Sequence, residues 1–226
     1  YIGMDEIKLD SIRRSKWNQK KQKTFEKAYD FAAELIESEA KRSNYKRSPL
    51  EINKEGFQKF IENFPYELTP DQLKCSHSLI NDFNSPKMMD RLICGEVGFG
   101  KTEMALRASY ISYMNGFQVC LMVPTTILAE QHYETFTKRF SGYDVDVVLL
   151  TRNLSTQEKK DVYLKILNQP NLIVIGTHAL MNNKLDFNNV GLLIIDEEHK
   201  FGVKQKEKIK SLKAQIDVMY LSATPI

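Results

Sequence analysis

The stretch RLICGEVGFGKT, residues 91–102, decides the fold of this chain. It opens with an apolar run that is typical of a buried strand, and the letters that follow match the pattern G-x-x-x-x-G-K-[ST]. Between a strand and a helix, this pattern marks the phosphate-binding loop of nucleoside triphosphatases. The stretch therefore predicts an α/β fold with a nucleotide site at the end of a strand.

The glycines of this loop let the backbone wrap closely around phosphate oxygens, where a side chain would obstruct it. Its N–H groups then form an anion-binding nest, and the helix that begins near Lys101 adds its positive N-terminal end. Lys101 is expected to reach the β- and γ-phosphates, and the Thr102 hydroxyl to bind Mg²⁺. A chance glycine-rich turn is the alternative, but the strand–loop–helix context argues against it. The predicted nucleotide-binding residues are Gly95, Glu96, Val97, Gly98, Phe99, Gly100, Lys101, Thr102 and Glu103.

A second motif, DEEH at residues 196–199, follows the apolar run LLII. Asp196 ends the predicted strand, which is where the magnesium-binding acid of such enzymes lies. Glu197 is the candidate base that orients or deprotonates the attacking water. His199 is either a coupling residue of the same motif or an ordinary loop histidine. Adjacent acids after a strand are also typical of a helix cap, but beside the phosphate loop they indicate a catalytic pair.

Apolar runs and helical patterns alternate along the chain from Pro49 onward. Strands are predicted at residues 91–94, 118–123, 145–150, 172–175, 192–195 and 218–221. Helices are predicted at residues 70–83, 101–114, 126–140, 156–167 and 203–212. Continuous apolar strands that alternate with helices are typical of a parallel sheet covered on both faces. Because ligands bind at the carboxyl ends of such strands, both motifs fall where a site is expected.

The N-terminal segment differs, with no glycine after Gly3 and no proline before Pro49. Its apolar residues recur at helical spacing and predict one long amphipathic helix over about residues 12–43. We expect this stripe to pack on a neighbouring element, since a lone helix cannot bury it, and the lysines between favour a solvated face over a nucleic-acid patch. Residues 1–48 are assigned to the connecting helix and linker, and residues 49–226 to the nucleotide-binding domain. The stripe consists of Trp17, Phe25, Ala28, Tyr29, Ala32, Leu35, Ile36 and Ala40.

The composition, 42% hydrophobic and 27% charged residues, is ordinary for a soluble globular protein. A net charge of +3 permits nucleic-acid binding without demanding it. No apolar run approaches the roughly 20 residues that span a bilayer, so we expect no membrane partner. The spacing of Cys75, Cys94 and Cys120 fits no zinc site. Cys94 and Cys120 fall in predicted buried strands, and we expect a reducing, cytoplasmic setting.

Longer stretches carry a family resemblance. DEEH together with SAT at residues 222–224 resembles the first RecA-like lobe of superfamily 2 helicases. FPYELTPDQ (64–72), VPTTILAEQHYETF (123–136) and GLLIIDEEHKFGV (191–203) resemble bacterial transcription-repair coupling factors. The branch-migration helicase that remodels stalled forks shares two of these stretches. The phenylalanine in GFGKT and the lysine-rich start of the chain favour the coupling factors.

The resemblance implies further roles on the nucleotide side. It implies that ATP and Mg²⁺ are the cofactors, and that Gln72 reads the adenine edge. Phe64 is placed near the same base, with plain core packing as the alternative. Three positions depart from the usual pattern: Glu96 stands for aspartate, Lys200 for arginine and Ser222 for threonine. The Lys200 change is expected to weaken any planar bidentate contact, and the other two keep their chemistry.

The resemblance also implies contacts with DNA and with moving parts of a motor. Pro124, Thr125 and Thr126 match the first DNA-contacting motif, and Thr177 and His178 match the second. Such groups contact phosphates and carry no sequence information, which suits a motor that moves over any sequence. The residues expected to link hydrolysis to lobe movement are Ser222, Ala223 and Thr224.

The implied activity is that of an ATP-driven translocase on double-stranded DNA, a helicase-type ATPase that acts near the bacterial nucleoid. It displaces stalled RNA polymerase at lesions and recruits an excision-repair damage-recognition protein, both through regions outside these residues. A second RecA-like lobe in cis supplies arginines to the γ-phosphate. We expect the chain to be an excised piece that binds nucleotide with little turnover. A nucleotide- and DNA-binding module without useful hydrolysis is the alternative.

Overall fold

The computed structural model describes residues 15–181, 189–201 and 215–223. The chain forms two compact units, Tyr1–Lys41 and Arg42–Ile226. No helix within the described ranges is long and apolar enough to cross a membrane.

The helix α1, Ser15–Asn44, is the long N-terminal helix that the sequence predicts. Its predicted start at residue 12 lies outside the described residues. The side chains of Trp17, Phe25, Tyr29 and Ile36 are exposed. The expected packing of this stripe stays a prediction. The assigned domain boundary at residues 48 and 49 stays a prediction.

The second unit is built on a six-stranded parallel sheet, which confirms the predicted α/β, RecA-like fold. The strands are β1 Asp90–Cys94, β2 Gln118–Met122, β3 Val147–Leu150, β4 Ile173–Gly176, β5 Val190–Asp196 and β6 Asp217–Ser222. They lie in the order β1-β6-β5-β2-β4-β3, so the first strand pairs with the last. Continuous apolar runs form the central strands because both of their faces are covered.

Five helices accompany the strands in the described part of this unit. The predicted bounds of the helices at residues 70–83 and 101–114 match the structure. The helix at residues 54–62 was not predicted, and the predicted helix at residues 203–212 lies outside the described residues. Short 3-10 turns at His178–Met181 and Glu198–Lys200 follow β4 and β5. The helices are α2 Lys54–Glu62, α3 Pro70–Phe83, α4 Lys101–Met114, α5 Thr126–Arg139 and α6 Thr156–Asn168.

The edge position of β1 corrects one expectation. The sequence suggests a buried strand, but the side chains of Leu92 and Cys94 are exposed. An edge strand has a neighbour on one side only, and among these residues only Ile93 is fully buried. Cys120 in β2 is buried as expected, and burial raises the pKa of its thiol to about 12.

Aromatic and cation–π contacts join α2, α4 and α5. Phe60 of α2 stacks on Tyr110 of α4 with ring centroids 4.5 Å apart. The Arg139 guanidinium of α5 lies 4.2 Å from the Phe60 ring centroid, within cation–π range. Three helices therefore share one buried contact, which holds α2, α4 and α5 together.

A buried carboxylate ties the start of β6 to the segment before α2. Asp217 Oδ1 accepts a hydrogen bond from the Met89 N–H at 2.6 Å, and Arg47 Nη2 lies 3.3 Å from Oδ2. Loss of water raises the pKa of Asp217 to about 6, although the Met89 N–H, Arg47 and Arg42 each act to lower it. The folded state therefore binds this proton more tightly than the unfolded chain does.

We predict that Asp217 makes stability fall as pH rises from about 4 to about 6. The pKa is about 3.8 in the unfolded chain and about 6 in the fold. The benefit is thus fully present below pH 4 and lost as pH rises through 6, a difference on the order of 3 kcal/mol. Urea unfolding from pH 4 to 8, with Asp217→Asn as the reference that cannot titrate, measures it. A wild-type minus Asn difference that stays constant over this range contradicts the prediction.

Candidate functional site

The phosphate-loop sequence forms the connection between β1 and α4. Gly98 and Gly100 adopt left-handed conformations, with φ of 85° and 75°. This φ at Gly100 is strained for any residue with a Cβ atom, and such an atom would also lie 2.7 Å from Gln72 Nε2, so that the glutamine side chain would have to move. The helix α4 begins at this loop without a capping side chain. The N–H groups of its first turn are therefore suited to an anion.

The Lys101 side chain is hydrogen-bonded to the first two residues of the phosphate loop. Its Nζ donates hydrogen bonds to the carbonyl oxygen of Gly95 at 2.5 Å and to that of Glu96 at 2.9 Å. The ammonium group is therefore held against the backbone at the start of the loop. This set of one cation, backbone amides and a helix N-terminus fits the phosphates of a nucleotide.

Gln72 contacts the loop directly. Its Oε1 accepts from the Thr69 N–H at 2.8 Å, which completes the capping box of α3, and its Nε2 donates to the Phe99 carbonyl at 2.9 Å. Phe64 lies in the segment before α3, 5.5 Å from the ring of Tyr66. It lines a cavity of about 910 Å³ between α2 and α3. The adenine roles of Gln72 and Phe64 stay predictions.

Glu103, the last of the predicted nucleotide-binding residues, forms ion pairs with two arginines, and its nucleotide role stays a prediction. Its side chain is buried and its Oε1 accepts from Arg107 Nε at 2.8 Å, with Arg139 Nη2 at 3.4 Å. Its side chain faces α5, because Arg139 belongs to that helix. Val97 and Phe99 of the same predicted set are exposed at the loop surface.

The end of β6 joins the two motifs. The Gly95 N–H donates to the carbonyl of Ser222 at 3.1 Å, and the Glu197 N–H donates to the carbonyl of Leu221 at 3.0 Å. Asp196 is the last residue of β5 and pairs with Leu221 across the sheet. The phosphate loop and the DEEH acids therefore flank a single strand end.

Glu197 has the one left-handed non-glycine backbone among the described residues, with φ of 56°. Its carboxylate is largely buried and lies 3.3 Å from His199 Nε2 and 3.8 Å from Lys200 Nζ. A left-handed conformation costs about 1–2 kcal/mol for a residue with a Cβ. Such outliers concentrate at functional sites, where the surrounding structure holds them.

His132 of α5 was missed by sequence analysis. Its Nε2 lies 2.9 Å from Asp196 Oδ2, and both side chains are largely buried. The spacing of Ala129, His132 and Phe136 places the three residues on one face of α5 and could have indicated this role. Ala129 and Phe136 are fully buried, so His132 lies on the buried face of the helix. A polar residue within such a face needs a partner.

The described residues contain no group of three or more His, Cys, Asp or Glu side chains that forms a metal cage. Mg²⁺ is usually held by one or two carboxylates together with substrate phosphates and water. Thr102 in the first turn of α4 and Asp196 at the end of β5 carry oxygen atoms that can bind Mg²⁺. Their metal roles stay predictions.

The predicted DNA-contacting residues fall on two adjacent loops. Thr125 is exposed and caps α5 by accepting from the Leu128 N–H at 3.3 Å. His178 is also exposed, whereas Thr177 is buried, so burial argues against a direct contact by the Thr177 side chain. The Val123 N–H donates to the Gly176 carbonyl at 3.0 Å and holds the two loops side by side.

Of the predicted linking residues, Ser222 is buried at the end of β6 and Ala223 is half-buried. Thr224 lies outside the described residues. Ser222 contacts the phosphate loop through its carbonyl oxygen, a backbone contact that its side-chain identity does not predict.

The family model described as DEAD/DEAH box helicase matches residues 69–226. The chain belongs to this helicase family. The match begins at the capping residue of α3 and includes both motifs that flank β6.

Curated relatives extend the similarity to the N-terminal segment. The chain is 47% identical to the transcription-repair-coupling factor of Haemophilus influenzae, with 99% of the chain covered. It is 43% identical to that of Bacillus subtilis, with 100% covered, and 42% identical to that of Escherichia coli, with 96% covered. The chain spans only 20%, 19% and 19% of the lengths of these three proteins.

Solved structures of helicases share the fold. RecG bound to a three-way DNA junction matches with a TM-score of 0.72 and 37% identity, over 83% of this chain and 25% of RecG. The DUF1998 helicase MrfA matches with a TM-score of 0.56 over 80% of this chain and 30% of its own. At 16% identity, the second match concerns the fold alone.

We predict that the Glu197 backbone of this helicase-family chain is strained. Glu197→Gly is expected to be more stable than Glu197→Ala by about 1 kcal/mol, because only glycine adopts this φ without cost. Both variants lose the side-chain contacts, so their difference in free energy of unfolding, measured by urea denaturation, isolates the backbone term. The same pair at Glu198 is the control, where Ala is expected to be the more stable. Equal stability of the two Glu197 variants would contradict the prediction.

Proposed function

We propose that this chain is the nucleotide-binding motor lobe of an ATP-driven translocase on double-stranded DNA. The observation that carries the proposal is the end of β6, where one strand holds both the phosphate loop and the DEEH acids. Membership of the DEAD/DEAH box helicase family supports ATP as the nucleotide. We therefore assign ATP hydrolysis to a site between Lys101 of the phosphate loop and Glu197 of the DEEH motif.

In this proposal each polar group at the site has one task. The Lys101 ammonium group and the loop amides bind the β- and γ-phosphates. The Thr102 hydroxyl and the Asp196 carboxylate hold Mg²⁺, which when bound neutralises phosphate charge. The Glu197 carboxylate orients the attacking water and accepts its proton. His199 and Lys200 orient Glu197 through the contacts already described.

DNA binding is assigned to the loops after β2 and β4. Pro124, Thr125 and Thr126 form the N-terminal end of α5, which is favourable for a phosphate group. His178 adds an exposed side chain from the neighbouring loop. These groups contact the DNA backbone and not base edges, so the proposed binding is independent of sequence.

The proposed biological role is the coupling of transcription to repair. Identity of 41–47% to transcription-repair-coupling factors across nearly the whole chain supports it. RNA polymerase and an excision-repair damage-recognition protein are the proposed partners, through regions outside these residues, and the bacterial cytoplasm is the proposed location. A branch-migration helicase is the second candidate, favoured by the structural match to RecG, but that match covers less of the chain.

We predict that Lys101→Ala weakens binding of MgADP by about 10- to 100-fold, because charge-assisted hydrogen bonds contribute about 1.5–3 kcal/mol. The fold is expected to survive, since within the described ranges the Lys101 ammonium group donates hydrogen bonds to carbonyls of the loop. Isothermal titration calorimetry measures the affinity. Lys59→Ala removes an equal charge from the exposed face of α2 and is the matched control. Equal affinities of the Lys101 variant and wild type would remove the basis of the proposal.

We predict that this 226-residue chain hydrolyses ATP at least about a hundredfold more slowly than a longer protein that includes a second RecA-like lobe. Arginines from that lobe stabilise the charge that develops on the γ-phosphate, and DNA stimulates turnover by closing the two lobes. Steady-state phosphate release with and without DNA measures the rates. The affinity for MgADP is measured in both proteins as a control, and equal values indicate that the nucleotide site is intact in the shorter chain. Rapid, DNA-stimulated turnover by the chain alone would contradict this assignment.

A further inference from the structure

His132 and Asp196 form a contact between α5 and the end of β5. The Nε2 atom lies 2.9 Å from the carboxylate Oδ2, a normal hydrogen-bond distance. The side chains are 10% and 13% exposed, so the contact is largely shielded from water. A shielded hydrogen bond to a carboxylate orients that group more firmly than an exposed one does.

The histidine ring has little freedom to turn away from this contact. It packs edge-on against Phe136, one turn further along α5, with ring centroids 6.4 Å apart and planes at 72°. Ala129 and Phe136, on the same face of the helix, are fully buried. The position of the donor is therefore set by the packing of α5 on the sheet.

The contact leaves one carboxylate oxygen for another ligand. Oδ2 of Asp196 faces His132, and no hydrogen bond or ion pair with Oδ1 is found within the described ranges. A carboxylate that binds a metal ion through one oxygen is usually held at the other by a hydrogen bond, which fixes its orientation. Asp196 has this arrangement on the protein side.

We propose that His132 is a positioning residue for Asp196. Its Nε2–H holds Oδ2 and directs Oδ1 toward the Mg²⁺ of the bound nucleotide. This inference rests on the proposed function, in which Asp196 holds the metal ion. It adds a residue of α5 to a site that the two sequence motifs would otherwise define alone.

The test measures metal affinity directly and does not depend on turnover. Mn²⁺ is titrated into the chain saturated with ADP, and free Mn²⁺ is read from its electron paramagnetic resonance signal. His132→Leu keeps the bulk of the side chain and removes the donor. His132→Gln carries an amide N–H at a reach similar to that of Nε2. His132→Asn has the same amide on a shorter side chain that stops before Oδ2.

We expect His132→Leu and His132→Asn to weaken Mn²⁺ affinity by at least about tenfold, as is typical for partners of metal ligands. His132→Gln is expected to restore most of the loss. ADP affinity without metal should be equal in all forms, and far-UV circular dichroism verifies folding. If His132→Leu fails to fold, the comparison of Asn with Gln decides, because both are polar and only one reaches Oδ2.

Asp196→Asn separates this inference from the proposed function. If Asp196→Asn weakens Mn²⁺ binding while the Leu and Asn variants of His132 bind it as wild type does, the positioning role is wrong and the metal role stands. If Asp196→Asn itself leaves Mn²⁺ affinity unchanged, the proposed metal role fails and the positioning role fails with it. A His132→Gln variant that folds but binds Mn²⁺ as weakly as His132→Leu also contradicts the inference.

Discussion

Two carbonyl groups at the end of β6 hold the candidate site together. Leu221 accepts the Glu197 N–H and Ser222 accepts the Gly95 N–H, at 3.0 and 3.1 Å. The first bond joins residues 24 positions apart and the second joins residues 127 positions apart in the sequence. Because the phosphate loop and the DEEH acids are both hydrogen-bonded to the end of β6, a shift of this strand moves both of them.

The strand order explains why this strand has that position. β6 lies between β1 and β5, so the last strand of the chain separates the two that precede the motifs. Parallel pairing aligns their carboxyl ends, with Cys94 opposite Ser222 and Asp196 opposite Leu221. The residues that the resemblance gives a linking role, Ser222 and Ala223, therefore lie at the junction.

The features that could be predicted from sequence are those that depend on local chemistry. Apolar runs between turn signals gave all six strands of the sheet, and the capping residue Thr69 with Pro70 gave the start of α3. The glycine pattern predicts a loop that the structure places between β1 and α4.

The features that could not be predicted from the sequence depend on residues far apart in the chain. The exposed side of β1 follows from its edge position, and the ion pair of Glu103 with Arg139 needs α5. The contact of His132 with Asp196 joins residues 64 positions apart.

The central claim is that one ligand bridges the phosphate loop and the DEEH acids. A crystal structure of the chain with Mg²⁺ and a non-hydrolysable ATP analogue tests it most directly. The account predicts the β- and γ-phosphates within residues 95–102, with the metal ion between Thr102 and Asp196 and the γ-phosphate facing Glu197. A nucleotide bound elsewhere, or one whose metal ion lies away from Asp196, would contradict it.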